Sequence, residues 1–328
     1  MITVGGQSGK RIGAGLLILS LLTRGAVLGL LCFLALMTEY LNFKVAHNNA
    51  RLVELSAGKA TRVFYESVDT AMGWFGDPLE VAQTNGGMTW SIRLGGVPFT
   101  DPIAALSVLV KRQRLELGFI LGMIVPLGLA AVFGRVFCAY VCPASLLFFS
   151  IARLRRLLGR WFYFPEFTLN RGFSWGILIG GLSLAVLTGH GVWSLILPYF
   201  ALGQTIFHGL ALGLLSISLW SLVVFALLDL MLGHQFTCRY VCPTGRLLGV
   251  VGSRALVRVH REPTQCVSTC HACSEVCPLK VDPKADETLD CSLCGECLIA
   301  CPTQCLSLGI GRGNLPSTSA QKAMVSKI

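Results

Sequence analysis

Residues 291–302 read CSLCGECLIACP, a short stretch whose cysteine spacing decides what the surrounding fold must hold. Two residues separate Cys291 from Cys294, and two separate Cys294 from Cys297. Three residues separate Cys297 from Cys301, which directly precedes a proline. Three thiolates at this spacing bind one [4Fe–4S] cubane, while the cysteine before proline reaches across to a second cluster. A second cluster-binding block is therefore expected elsewhere in the chain.

That other block lies earlier in the chain, at residues 266–278. It contains four cysteines and also ends in a Cys-Pro pair: Cys266, Cys270, Cys273 and Cys277. Three residues rather than two follow Cys266, so Cys266 is the least regular of these ligands. The crossover rule assigns two ligand sets, namely Cys266, Cys270, Cys273 and Cys301 for the first cluster, and Cys277, Cys291, Cys294 and Cys297 for the second. Cys305 is interpreted as a spare thiol.

Two other uses of these cysteines fit the pattern less well. Closed zinc sites use two well-separated cysteine pairs rather than runs of four that end in proline. Disulfides form in oxidising compartments, whereas the charge distribution described below places this block in the cytoplasm. We therefore expect residues 263–310 to form a bacterial-type ferredoxin domain with two [4Fe–4S] clusters.

A shorter cysteine motif occurs twice, one hundred residues apart. Cys138-Ala-Tyr-Val-Cys142-Pro recurs as Cys238-Arg-Tyr-Val-Cys242-Pro. Cysteines four residues apart lie on one face of a helix, so two copies that meet across a pseudo-twofold axis would present four thiols together. Such a set could hold an additional metal ion, an iron–sulfur cluster or a transient disulfide, or could be buried as small apolar side chains.

The remainder of the chain has the composition of a membrane protein. Of its 328 residues, 53% are apolar and 13% are charged, against roughly 25% charged in an average soluble domain. Residues 172–228 contain no Asp, Glu, Lys or Arg, a length sufficient for two spanning helices of roughly 20 residues each. This composition excludes a disordered chain, a coiled coil and a conventional soluble enzyme.

We predict an all-α integral membrane protein with four transmembrane helices, arranged as two repeated hairpins, and a C-terminal two-cluster ferredoxin domain. In chain order, the predicted segments are the N-terminus with the first transmembrane helix (1–41), an extracytoplasmic loop (42–114), the second helix (115–137), a cytoplasmic loop with the first C-x3-C-P motif (138–171), the third and fourth helices (172–232), the second motif with an amphipathic linker (233–262), the ferredoxin domain (263–310) and a flexible tail (311–328).

Three details of this arrangement can be predicted from single residues. Arg24 interrupts the first span and is expected to extend its charge to the cytoplasmic surface. Asp101 is expected to cap a short helix that Pro102 opens. Arginines are scattered among apolar side chains over residues 246–261, which predicts an amphipathic helix lying on anionic lipid.

The distribution of basic residues predicts the orientation. The net charge is 27 − 17 = +10, and in an apolar chain such an excess reflects basic cytoplasmic loops rather than binding to nucleic acid. Residues 138–171 contain five arginines and one acidic residue, while the connection between the third and fourth spans contains no basic residue. The positive-inside rule therefore places both termini and the clusters on the cytoplasmic side of a bacterial inner membrane.

The combination of these features resembles the NapH-type membrane ferredoxins, the quinol dehydrogenase membrane components related to MauN and to the membrane core of NosR. The residues Pro98-Phe-Thr-Asp-Pro102 are similar to that family's loop before the second span, and Gly134-Arg-Val-Phe-Cys138 is similar to its first motif. The resemblance implies that the chain oxidises a membrane quinol and passes the electrons to a partner redox enzyme. In that role it is an electron carrier rather than a stand-alone catalyst.

Two functions remain open at this point, besides a purely structural anchor for a partner complex. The first is electron transfer between the quinone pool and the two clusters. The second is a maturation or metal-handling factor whose clusters keep the C-x3-C-P thiols reduced, so that these thiols deliver or reduce a metal such as copper. No catalytic residue is predicted. Candidates for a quinone site are ionisable or polar side chains near the ends of the last two spans, namely Asp229, His234, His190, Tyr199 and His208.

Overall fold

The computed structural model describes residues 7–84, 86–88, 91–94, 97–110, 117–188, 192–211, 217–262, 265–267, 269–283 and 290–310. These residues are mostly helical, as predicted. His190 and the predicted tail at 311–328 lie outside them. The chain divides into two compact units. The first comprises Met1–Gly25, Pro126–Ile177 and Leu228–Ile328, and the second comprises Ala26–Val125 and Leu178–Leu227.

The helices follow one another along most of the chain. They are α1 Gln7–Ala46, α2 Ala50–Ala57, α3 Lys59–Gly73, α4 Pro78–Thr84, α5 Pro102–Val110, α6 Leu117–Phe133, α7 Val136–Tyr140, α8 Ala144–Leu158, α9 Arg171–Thr188, α10 Trp193–Ile196, α11 Pro198–Ala211, α12 Ile217–Leu232, α13 Pro243–Val251, α14 Ala272–Val276 and α15 Glu296–Ala300. One turn of π-helix covers Thr237–Val241, and one turn of 3-10 helix covers Gly252–Arg254.

Two small antiparallel sheets interrupt the helices. In the second unit, β1 Gly86–Met88, β2 Ser91–Leu94 and β3 Val97–Thr100 form a sheet in that order. In the first unit, β4 Val257–Arg261 pairs with β5 Leu306–Ile310, with Val259 opposite Leu308.

Helix α1 has the dimensions of a membrane span. Within it, Gly9–Ala46 is apolar enough and long enough to cross a bilayer, and it is the one segment of the described chain that satisfies both criteria. Three shorter apolar helices of 10–17 residues, at Ile120–Phe133, Gly172–Thr188 and Ile217–Leu232, coincide with the other three predicted spans. The structure thus supports one span by length and composition, and the four-span arrangement stays a prediction.

The expected position of Arg24 at the membrane surface is wrong. Its side chain is only 4% exposed. The guanidinium donates hydrogen bonds to the Ser20 carbonyl (2.9 Å) and hydroxyl (2.9 Å) and to the Ser145 hydroxyl of α8 (3.2 Å). It also lies over the Phe149 ring, 5.6 Å from the ring centroid. Because these partners satisfy the donors of Arg24, the side chain joins α1 to α8 instead of reaching for water.

The amphipathic helix expected over residues 246–261 is wrong beyond residue 251. Helix α13 ends at Val251, and the chain then enters strand β4. The side chains of Val257, Val259 and Arg261 alternate with Arg258 and His260, a period of two that suits a strand. Pairing with β5, fifty residues away in sequence, stabilises this conformation over a helix.

The predicted cap at Asp101 is confirmed in the second unit. Its carboxylate accepts hydrogen bonds from the backbone N–H groups of Ile103 (2.8 Å) and Ala104 (3.1 Å), and α5 begins at Pro102. Further along α5, the Ser107 hydroxyl accepts a hydrogen bond from the Trp193 indole (2.8 Å). These contacts fix α5 against the start of α10.

Candidate functional site

Four cysteines from the two C-terminal blocks line a single cavity in the first unit. They are Cys277, Cys291, Cys294 and Cys297, the four side chains that the crossover rule assigns to one cluster. The rest of the lining is mostly apolar and includes Val259, Leu279 and Val281. Thiols that converge from separate blocks on an apolar cavity have the chemistry that a [4Fe–4S] cluster requires.

Backbone N–H groups around this cavity donate hydrogen bonds to the cysteine sulfur atoms. The N–H of Val281 lies 3.3 Å from Cys277 Sγ, and the N–H groups of Leu293 and Glu296 point to Cys291 and Cys294. Burial raises the pKa of Cys291 to about 11 and that of Cys294 to about 12, against the smaller opposite effect of these hydrogen bonds. Thiols of this kind stay protonated until a metal binds, and binding then releases their protons.

Helix α1 contacts the loop that carries two of these cysteines. Gly13 of α1 lies so close to Gly295 that a Cβ atom at position 13 would stand 2.9 Å from the Gly295 carbonyl oxygen and 2.9 Å from Leu298 Cβ. Gly295 itself has a φ of 83°, a left-handed conformation that favours glycine. The N-terminal part of α1 thus supports the cavity directly.

This close approach predicts that the same substitution, glycine to alanine, has opposite effects on stability at positions 13 and 15. Gly13→Ala should lower the free energy of unfolding by about 1–3 kcal/mol, since the new methyl group must displace backbone. Gly15→Ala should raise it by up to about 1 kcal/mol, because alanine favours a helix and a Cβ atom at position 15 meets no neighbour. Denaturant unfolding of the two variants measures both changes, and iron analysis shows whether each variant keeps its clusters. Equal effects at the two positions would contradict the contact.

Most of the other C-terminal cysteines lie in or against an apolar cluster that also borders the cavity. Cys273, Cys301 and Cys305 belong to one apolar cluster, and Cys266 packs against it. Cys270 lies in the following turn, where its N–H donates to the Val267 carbonyl (3.3 Å). Cys305, interpreted from sequence as a spare thiol, lies in this cluster with its Sγ 3.6 Å from Cys301 Sγ. Its position directly before the apolar strand β5 was the signal of its burial.

The two C-x3-C-P motifs meet in the first unit. Cys138 lies on α7 and Cys238 on the π-helical turn, while Cys142 and Cys242 directly precede the prolines that follow each motif. Cys238 interacts electrostatically with the other three thiols, and Cys142 also interacts with Cys138 and Cys242. Burial is the main effect that raises the pKa of Cys142 and of Cys238 above the ordinary value of a thiol. The duplication therefore brings four soft ligands together.

Within the described part of the chain, no three His, Cys, Asp or Glu side chains lie close enough to hold a single metal ion. A cubane places its cysteine ligands around four iron atoms rather than around one.

Hydrogen bonds join the segments that carry the two motifs to the loop that lines the cavity. Arg135 donates its backbone N–H to the Cys291 carbonyl (3.2 Å), and its guanidinium reaches both the Cys238 carbonyl (2.9 Å) and the Asp290 carboxylate (3.3 Å). The Tyr140 hydroxyl donates to the Leu293 carbonyl (2.9 Å). In the sequence, Arg135 is only part of a motif, and its central position could not be predicted because its partners Cys238, Asp290 and Cys291 are all more than one hundred residues away.

The candidate quinone-site residues fall into both units. In the first unit, Asp229 accepts a hydrogen bond from the Thr237 N–H (2.7 Å), and His234 Nδ1 lies 3.0 Å from Glu166 Oε1. Asp229 also interacts electrostatically with Cys238. In the second unit, Tyr199 is hydrogen-bonded to Asp101, and His208 Nδ1 lies 2.7 Å from the Gln204 carbonyl. Within the first unit, Asp229 and His234 therefore lie near the second C-x3-C-P motif.

A helical chain with two converging sets of cysteines defines an iron–sulfur protein of the ferredoxin type. A sequence profile described as a 4Fe-4S binding domain matches residues 115–161 and 212–261, the segments that contain the two C-x3-C-P motifs. The chain is 30% identical to the ferredoxin-type protein NapH of Haemophilus influenzae over 229 residues, which are 66% of this chain and 77% of that protein. It therefore belongs to the NapH family of ferredoxin-type proteins, as the motifs predicted.

Other relatives agree with this placement. NapH of Escherichia coli is 30% identical over 240 residues, 70% of this chain and 79% of that protein. The methylamine utilization ferredoxin-type protein MauN of Paracoccus denitrificans is 29% identical over 195 residues, 59% of this chain and 66% of that protein. No solved structure matches the chain. Family and profile together establish an iron–sulfur electron-transfer protein.

Proposed function

We propose that this protein moves electrons between the membrane quinol pool and a partner redox enzyme through two [4Fe–4S] clusters in its C-terminal domain. The observation that carries the proposal is the single cavity lined by Cys277, Cys291, Cys294 and Cys297. These four residues would hold one cluster, and the other would be held by Cys266, Cys270, Cys273 and Cys301. Bound clusters supply one-electron transfer at potentials tuned by hydrogen bonds and burial.

The thiols of the C-x3-C-P motifs are proposed as a further centre beside the cavity. The profile described as a 4Fe-4S binding domain matches the two segments that contain them, which favours an iron–sulfur cluster over a lone ion. Arg135 and Tyr140 contact both sites, so the two centres would be separated by a few side chains. The Arg135 charge, buried between Cys238 and Asp290, would offset the negative charge of bound thiolates.

A bilayer would surround the apolar helices in this proposal, with four spans and both termini in the cytoplasm. Large apolar side chains on the three shorter apolar helices support it, since Leu121, Ile179 and Trp220 are more than half exposed. Exposed apolar surface of this extent needs a partner. Lipid is one that suits these helices, since the one ionisable side chain among them, Asp229, is buried.

A second candidate function is metal handling. It is favoured by the convergence of four thiols at a place separate from the C-terminal cysteines. Soft thiolates suit Cu(I), and the neighbouring clusters would keep these thiols reduced. The two candidates differ in which metal the motif cysteines retain.

One variant separates these functions. Paramagnetic resonance and metal analysis of the anaerobically purified Cys138→Ser/Cys238→Ser double variant should show the loss of about four iron atoms per chain and of one centre. The signals of the two C-terminal clusters should persist. Loss of copper instead of iron would favour metal handling. Unchanged metal content and spectra would show that these thiols bind no metal. That outcome would contradict metal handling and the further centre, and it would leave electron transfer through the two C-terminal clusters intact.

A further inference from the structure

A polar cavity lies beside the second C-x3-C-P motif, at the end of α12. It is lined by residues of three segments, including Glu166 and Phe167 of the first, His234, Phe236 and Tyr240 of the second, and Lys280 of the third. The backbone N–H of Phe167 donates to the Leu232 carbonyl (2.9 Å), which ties the first segment to the end of the apolar helix. Neither the cluster ligands nor the comparisons account for this cavity.

Tyr240 lines the cavity, and its hydroxyl group is buried without a hydrogen-bond partner. Tyr240 is only 4% exposed, and its buried hydroxyl contacts no donor or acceptor among the described residues. The equivalent side chain of the first repeat, Tyr140, donates to the Leu293 carbonyl. One tyrosine of the duplicated pair thus contacts the ferredoxin domain, while the other is left free to bind a ligand. A buried unpaired hydroxyl costs about 1–3 kcal/mol unless a partner occupies the site.

A proton acceptor lies on the same cavity. His234 Nδ1 is 3.0 Å from Glu166 Oε1, and Glu166 Oε2 is 3.1 Å from Lys280 Nζ. When Nδ1 donates to Glu166, the other ring nitrogen of His234, Nε2, is the proton acceptor. Burial lowers the pKa of His234 and outweighs the opposite effect of Glu166, so the imidazole is neutral at pH 7.

The segment that contributes Glu166 has the composition of a membrane interface. Trp161, Phe162, Tyr163 and Phe167 are each more than half exposed. Trp and Tyr side chains concentrate at the level of lipid headgroups, where their rings are apolar and their polar atoms reach water. A cavity bordered by this segment and by the end of α12 would open at the depth where a quinol headgroup lies.

We infer that this cavity binds the headgroup of a membrane quinol. The aromatic rings of Phe236 and Tyr240, whose centroids are 5.0 Å apart, would border the quinol ring. The Tyr240 hydroxyl would bind one quinol oxygen and His234 the other. The inference rests on the proposed quinol oxidation and assigns its site.

The residues account for both products of oxidation. A quinol that becomes a quinone loses two electrons and two protons. An oxidised iron–sulfur centre held by the C-x3-C-P thiols would take up these electrons one at a time and would pass each on to the C-terminal clusters. Its ligands would include Cys238 and Cys242, which are each two residues from Tyr240. Nε2 of His234 takes up each proton in turn and releases it to water, since the His234 side chain is 26% exposed.

The test uses the full-length protein with its clusters, prepared anaerobically in lipid nanodiscs. Cluster reduction is followed by stopped-flow absorbance with menadiol as the quinol, and with dithionite as a reductant that needs no quinol site. Tyr240→Phe should raise the KM for menadiol about fivefold, the equivalent of one hydrogen bond of about 1 kcal/mol. His234→Asn should lower kcat about 100-fold, as loss of a general base does. Reduction by dithionite should be unchanged in both.

Tyr163→Phe is the matched control, because it removes the same hydroxyl from a side chain that is 93% exposed and outside the cavity. The rate with wild type should fall as the pH decreases through the lowered pKa of His234, because the protonated imidazole cannot accept a proton, and His234→Asn should lose this dependence. The charged groups around His234 are Glu166, Lys280 and Arg155, and Arg239 lines the same cavity.

The outcomes separate the site from the function. Menadiol kinetics that are equal in wild type, Tyr240→Phe and His234→Asn would overturn the site and leave quinol oxidation intact. Wild-type clusters that dithionite reduces and menadiol does not would overturn quinol oxidation, and the site with it. Weaker binding of Lys280→Gln to phosphatidylglycerol vesicles, with unaltered menadiol kinetics in all variants, would assign the cavity to a lipid headgroup and would also overturn the inference.

Discussion

Replacement of Cys294 by serine is expected to remove one [4Fe–4S] cluster and about four iron atoms per chain. Cys294 is one of four cysteines that line the C-terminal cavity, and it lies two residues from Glu296, where α15 begins. Serine is a much weaker ligand for iron than a thiolate is. Iron analysis, together with the paramagnetic resonance spectrum of the reduced protein, measures the loss.

Cys32→Ser is the control for this variant. Cys32 lies within α1, outside the cysteine blocks and the C-x3-C-P motifs. The control should retain the full iron content and the spectrum of the wild type. Full iron content in Cys294→Ser would contradict the assignment of the cavity as a cluster site, whatever the spectrum of the control.

Replacement of Arg135 by methionine is expected to lower the free energy of unfolding by about 3 kcal/mol. Arg135 is 3% exposed in its side chain, and its loss leaves the Asp290 carboxylate and the Cys238 carbonyl without their donor. Removal of one partner from a buried ion pair costs about 3–5 kcal/mol. The lower end applies here, since the Asp290 side chain is 22% exposed and also lies 3.9 Å from Arg246.

Denaturant unfolding of the anaerobically purified variant measures this effect, and Arg160→Met serves as its control. Arg160 is an exposed cation of the predicted cytoplasmic loop at 138–171. Its replacement should change the free energy of unfolding by less than about 0.5 kcal/mol. A loss of similar size in both variants would mean that the contacts of Arg135 contribute no more than a surface charge.

Much of the candidate site could be predicted from local spacing. The Cys-Pro pairs, the two cluster blocks and the duplicated motif are each short patterns, because iron–sulfur ligation requires thiols at set intervals on one stretch of chain. The cap at Asp101 was predictable for the same reason, since its partners are two and three residues away. The family followed from these motifs, and the similarity to NapH confirms it.

Predictions failed where a distant partner decided the outcome. Arg24 was expected at the membrane surface, but Ser145, over one hundred residues away, binds it in the interior. Residues 257–261 were expected to be helical, but β5 pairs with them. Helix propensity is worth a few tenths of a kcal/mol per residue. The hydrogen bonds and burial that a distant partner supplies contribute more than this.

The type and spacing of the cysteines are enough to specify iron–sulfur ligation, and the repeats are enough to specify the family. Which sites become neighbours was set by the three-dimensional packing of the chain. It placed Arg135 and Tyr140 between the C-x3-C-P thiols and the cysteine-lined cavity, and it left Tyr240 facing a cavity while its counterpart Tyr140 contacts the ferredoxin domain. Ligand spacing is a local property of the chain, whereas the packing of two similar repeats against one asymmetric domain depends on contacts between residues far apart in sequence.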